Sequence, residues 1–157
     1  MTHRLAFTSR AFLFLSLVGA VVAGQALVAQ AASLAAVGAA AADDERFTLS
    51  VEPGAVKAGK EATVQVSVTA KTPWHLNLEF PTALKLNTAN GVTYTKDSLK
   101  KGDAATLTEA ALAFDVKLVA ATPGAKELTG TLKFAICKAE ACAPVTQEIK
   151  VSLNVTK

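Results

Sequence analysis

From residue 47 onward the chain alternates apolar and polar side chains with a period of two. Phe47, Leu49 and Val51 are interleaved with Thr48 and Ser50, and Val64, Val66 and Val68 with Gln65 and Ser67. Trp74, Leu76, Leu78 and Phe80 repeat the pattern around His75, Asn77 and Glu79. It returns at Leu112, Phe114, Val116 and Leu118, at Leu132, Phe134 and Ile136, and at Ile149, Val151, Leu153 and Val155. Strict alternation sends successive side chains to opposite faces, so each strand buries one face and wets the other, as in antiparallel sheets. Turn residues separate the runs: Pro53-Gly54, Ala58-Gly59-Lys60, Pro81, Asn90-Gly91, Lys101-Gly102-Asp103 and Pro123-Gly124. No segment carries an apolar stripe at helical spacing. About seven short strands of this kind predict an all-β fold, an immunoglobulin-like antiparallel β-sandwich. Each fully buried side chain is worth roughly 1.5–3 kcal/mol, so a core of about twenty holds such a domain without covalent staples.

Residues 1–42 have a different character. Arg4 and Arg10 stand in a stretch with no acid, followed by Ala11-Phe12-Leu13-Phe14-Leu15 and a long Ala/Val/Leu run. That is the basic and apolar order of a cleavable secretory signal, with small residues suited to cleavage at Ala29-Gln30-Ala31 and Ala40-Ala41-Ala42. The alternative is an uncleaved N-terminal membrane anchor, because Ala11–Ala42 is uncharged and long enough to span. No cysteine follows the run, which excludes a lipoprotein anchor. The expected organisation is therefore a signal and Ala-rich segment at 1–42, then one domain at 43–157 exported to the periplasm.

Setting Arg4 and Arg10 aside leaves 14 basic and 13 acidic residues in that domain, a near-neutral balance. No stretch clusters Lys or Arg with aromatics, so nucleic-acid binding has no support. Nothing resembles a Ser-His-Asp set, paired catalytic carboxylates or a phosphate-cradling Gly loop, and no cofactor is expected. Trp74 reads as a packing residue, His75 as a surface or structural residue on the face opposite Trp74, and Asn77 as a turn hydrogen-bonder.

The remaining chemical handle is a cysteine pair. An alternating strand runs into Cys137, Lys138-Ala139-Glu140-Ala141 intervene, and a strand follows Cys142. A hairpin with a four-residue connection sets the two cysteines opposite each other, with Cα atoms about 4.5–5.5 Å apart. That lies within the range of about 4.4–6.8 Å that a disulfide bridges. Closing so short a loop stabilises a chain by only about 2 kcal/mol. The spacing alone fits a structural clip and a redox site equally well. Lys138 would favour a thiolate at Cys137 and Glu140 would oppose it. Pro144 removes a ladder donor beside Cys142, which suits an edge open to a partner. Two thiols with His75 make an incomplete set for zinc, although copper(I) accepts two thiolates.

The stretch from Phe134-Ala135-Ile136-Cys137 through Cys142-Ala143-Pro144-Val145 resembles the active-site hairpin of the periplasmic N-terminal domain of the thiol:disulfide interchange protein DsbD family. Pro73-Trp74-His75-Leu76-Asn77-Leu78-Glu79-Phe80-Pro81 is similar to that family's aromatic-His-x-Asn stretch ending in proline. The resemblance implies an immunoglobulin-like sandwich with Cys137 and Cys142 as catalytic residues. In it, Cys142 attacks the partner's disulfide and Cys137 resolves the mixed disulfide. The implied partners are a membrane-embedded thiol:disulfide reductase, which supplies electrons, and periplasmic thioredoxin-like proteins, which take them. The counterpart of the family's cap loop over the cysteines falls at Thr95–Lys101, with Leu99 as its large apolar side chain and Asp97 as its acid. The competing expectation is a non-catalytic sandwich, for binding or assembly, whose hairpin disulfide is structural.

Overall fold

A computed structural model describes residues 40–139 and 141–157. Of the signal or anchor segment expected at 1–42, residues 1–39 lie outside the described residues. Among those described, no helix is long and apolar enough to cross a membrane.

The alternating segments become strands. In chain order they are β1 (Ala40–Asp43), β2 (Phe47–Pro53), β3 (Val56–Lys57), β4 (Glu61–Ala70), β5 (His75–Leu76), β6 (Ala83–Leu86), β7 (Val92–Tyr94), β8 (Ser98–Lys100), β9 (Thr106–Leu107), β10 (Ala111–Ala120), β11 (Gly124–Lys138) and β12 (Ala141–Thr156). One 3₁₀ turn, Lys101–Asp103, follows β8. The strands form two sheets, with the order β1-β2-β4-β10-β7 in one and β3-β12-β11-β6-β8 in the other. The short β9 also pairs with β10, and β5 with β11. All pairings are antiparallel except the short contact of β3 with β12. The described residues form an all-β, immunoglobulin-like sandwich, as the periodicity predicts.

The core lies between the inner faces. Phe47 on β2 meets Phe134 on β11 edge to face, with centroids 5.1 Å apart and planes at 87°. This pair ties one sheet to the other through the favoured aromatic geometry. Val51, Val66, Val68, Leu112, Leu118, Leu132, Ile136 and Leu153 fill the space around it, each at most 2 % exposed. The tight turn at Asn90-Gly91 forms as expected, with Gly91 at φ 70°, a left-handed conformation that costs glycine no Cβ clash.

Two differences from the sequence reading bear on the site. The strand expected over Trp74–Phe80 is only two residues long. The side-chain oxygen of Asn77 accepts the backbone N–H groups of Glu79 (2.8 Å) and Phe80 (3.2 Å), which bends the chain off the sheet. The second difference is at the N-terminal end, where β1 begins at Ala40, within the Ala-rich segment. Its register on β2 runs from Ala40↔Val51 to Asp43↔Thr48.

Candidate functional site

The β11–β12 hairpin pairs continuously from Gly124↔Val155 to Lys138↔Ala141, and Cys137 stands directly opposite Cys142. The strands therefore continue past the cysteines to Lys138 and Ala141, and the connection is shorter than the four residues expected. Ala139 takes a left-handed φ of 47° to make so tight a turn. The two sulfurs are joined in a disulfide, and their Cα atoms are 4.0 Å apart. That is closer than the expected range and nearer to the narrow, non-hydrogen-bonded type of antiparallel pair.

Strand parity decides which way the sulfurs point. Leu132, Phe134 and Ile136 face the core, so Cys137 projects from the outer face of its sheet, and Cys142 opposite it does the same. The bond joins neighbouring strands on the outside of the sandwich and does not link the two sheets. β5 pairs with the far side of β11, setting Leu76 opposite Ile136 and His75 opposite Cys137. Leu76 is buried, and His75 and Asn77 take the outward phase beside the disulfide.

The two cysteines have unequal surroundings. Cys137 is on an inner strand flanked by β5 and β12, and is 3 % exposed although it faces outward. Cys142 is exposed. Among the described residues β12 has no strand on its other side before Val155, where β3 begins to pair. Pro144 lies on this open edge, as expected of a residue without a backbone donor.

An open groove of about 390 Å³ borders the sulfurs, lined by His75, Asn77, Glu79, Glu109, Cys137 and Cys142 among others. Its wall is tied to the hairpin by the backbone hydrogen bond from Asn77 N to the Ala135 carbonyl (3.0 Å), and to the connection between β9 and β10 by that from Leu76 N to the Glu109 carbonyl (2.7 Å). The Asn77 amide nitrogen lies 3.9 Å from Cys142 Sγ and donates to it.

Two expectations about the surroundings change. Lys138 has the opposite parity to Cys137, and its ammonium sits 5.7 Å from the centroid of the Trp74 ring. The cation is engaged by the aromatic face at the end of the sandwich, not by the Cys137 sulfur. Trp74 is half-buried against the core edge. The proposed cap segment does not lie over the cysteines either. Leu99 is buried in the core on β8, opposite Leu84 of β6, and the Asn77–Glu79 turn borders the sulfurs in its place. Sequence reading named Asn77 as a turn residue, yet its donation to sulfur depends on a pairing that a two-residue strand does not advertise.

Among the described residues, no group of three or more His, Cys, Asp or Glu side chains gathers as a metal site. The titrations that are shifted belong to other places. Hydrogen bonds from Arg46 hold Asp44 down at about 2. Asp43 is lowered by its bond to Lys71, and Asp103 by its bond to Lys96. Burial raises Tyr94.

No family model matches the chain, and no curated protein does. Solved structures similar to it include AggA, the major subunit of aggregative adherence fimbriae type I from Escherichia coli. That likeness has 13 % identity and a TM-score of 0.37, covering 76 % of this chain and 99 % of AggA. The GAE domain of GGA2p from Saccharomyces cerevisiae is similar at 8 % identity and a TM-score of 0.35, covering 73 % of this chain and 97 % of that one.

Proposed function

We propose that the domain is a periplasmic thiol–disulfide exchange module of the DsbD N-terminal kind, working through Cys137 and Cys142. The observation that carries this reading is the asymmetry of the pair: one sulfur exposed on an open edge, the other buried directly opposite on an inner strand. Exchange chemistry needs both. An accessible thiolate must reach a partner's disulfide, and a second thiol must be held within reach to release that partner. In the reduced protein the Cys142 thiolate attacks one sulfur of the partner's disulfide. The partner's S–S bond breaks, its departing sulfur leaves as a thiolate and takes up a proton. Cys137 then gives up its proton and attacks Cys142 Sγ, which re-forms the Cys137–Cys142 bond and frees the partner's second thiol. Two electrons pass to the partner. A membrane-embedded dithiol reductase restores the reduced pair by the reverse sequence.

The position of the bond favours this over a structural clip. A staple gains most by joining segments far apart in the chain or by linking two sheets, and this bond does neither. The deciding measurement is the reduction potential of the pair, equilibrated in glutathione or dithiothreitol buffers and read by thiol alkylation. A value of roughly −200 to −270 mV with rapid reduction is expected, whereas one below about −300 mV would mark a structural disulfide and end the proposal. With a potential in the expected range, the Cys137→Ser variant should accumulate a mixed disulfide with its partner through Cys142.

A further inference from the structure

The geometry points to Asn77 as a positioning residue that stabilises the thiolate of Cys142, an inference that rests on the exchange reading above. The side-chain oxygen of Asn77 is committed to the turn that follows it, accepting from the N–H groups of Glu79 and Phe80. That fixes the orientation of the amide, because the reverse assignment would set its NH₂ against two donors. The only polar group left to aim elsewhere is Nδ2, and it is directed at Cys142 Sγ, 3.9 Å away. The backbone of Asn77 is in turn anchored by its N–H on the Ala135 carbonyl, two residues before Cys137. The donor therefore keeps its place on the hairpin whether the disulfide is open or closed.

A disulfide sulfur is a weak acceptor and a thiolate a strong one. The interaction is thus worth more after reduction than before it, which is the condition for favouring the charged form of a sulfur. Its effect falls on Cys142, the exposed sulfur, and raises the fraction of that thiol available for attack near neutral pH.

Cys137→Ser provides the background, because Cys142 is then the only thiol in the chain. The rate of alkylation by iodoacetamide is followed from pH 5 to 10 in this background and with Asn77→Asp or Asn77→Ala added. The aspartate keeps the oxygen that caps the turn while removing the donor and introducing a negative charge. Alanine removes the donor and the cap together. Both are expected to slow alkylation at pH 7, by roughly two- to tenfold for loss of one net hydrogen bond. The midpoint of the pH profile moves up, further for aspartate than for alanine. If N77A fails to fold, N77D alone decides, since its turn is retained. A profile for N77D that is unchanged or shifted down overturns the assignment. The readout uses no partner protein, so a failure to exchange electrons would remove the function proposed above without altering this result.

Discussion

Opening the Cys137–Cys142 bond should cost the domain little stability, and the structure sets the ceiling. The bond closes a six-residue loop. The chain-entropy relation gives about 2.2 kcal/mol for a loop of that size at 25 °C. Residual turn structure in the denatured chain lowers this figure further. Nothing in the core opposes reduction, because both sulfurs lie on the outer face while Phe134 and Ile136 hold the inner one. The assay is urea unfolding with and without reductant, read by the fluorescence of Trp74, the one tryptophan in the chain. With a denaturant slope of about 1–3 kcal/mol per molar, the midpoint should fall by no more than about 2 M on reduction. The transition should remain cooperative, and the Cys137→Ser/Cys142→Ser double variant should behave like the reduced protein. The same ceiling fixes a redox quantity. By the thermodynamic cycle, 2.2 kcal/mol corresponds to about 48 mV, so the folded pair can be at most that much harder to reduce than the pair in urea. Loss of cooperative unfolding on reduction, or a cost above about 4 kcal/mol, would refute the reasoning and make the bond a staple.

Four further outcomes follow from individual residues. A Cβ added at Gly130 would meet the Lys85 carbonyl oxygen at 2.6 Å and Leu86 Cα at 3.3 Å. Gly130→Ala should therefore push β6 off β11 and cost about 1–3 kcal/mol in urea unfolding. Ala139→Gly should stabilise oxidised and reduced protein alike by roughly 0.5–1 kcal/mol, because glycine meets the left-handed turn without a Cβ clash. The depressed carboxyl of Asp44, held by Arg46, contributes stability that is complete above the ordinary carboxylate range and is lost as pH falls through about 2. Both partners are partly exposed, so Asp44→Asn should cost no more than about 1 kcal/mol at pH 6, and its urea midpoint should converge on that of the wild type as pH falls below about 2. If a signal is removed from the chain, intact mass should show an N-terminus at or before Ala40, since cleavage after Ala42 would strip three of the four β1 residues from β2.

The parts of the fold that were legible are those where burial imposes a period on a long segment. β2, β4, β10, β11 and β12 span 7 to 16 residues, and each bears the alternation that located it. The remaining strands are two to four residues long, too short to display a period, and they are fixed by the neighbours they pair with. Leu99 shows the consequence. In the sequence it is an isolated apolar residue in a lysine-rich stretch and reads as part of a cap loop over the cysteines. In the fold it is drawn into the core because β8 pairs with β6. The Trp74–Phe80 run misleads in the other direction: its alternation is genuine, but the Asn77 oxygen captures two backbone donors and ends the strand after Leu76.

The same contrast explains how the site emerged. That Cys137 and Cys142 would oppose each other followed from the hairpin, and the outward parity of Cys137 is set by Leu132, Phe134 and Ile136, which face the core. Their unequal exposure could not follow from spacing, because it is a property of strand order. Cys137 is covered because β5 comes back from some sixty residues earlier in the chain to lie against β11, whereas Cys142 is open because β12 is an edge where it stands. That return also brings His75 and Asn77 onto the outer face at the sulfurs. A two-residue strand thus separates the surroundings of the two cysteines: it shields one sulfur, leaves the other exposed, and sets an amide donor beside the exposed one.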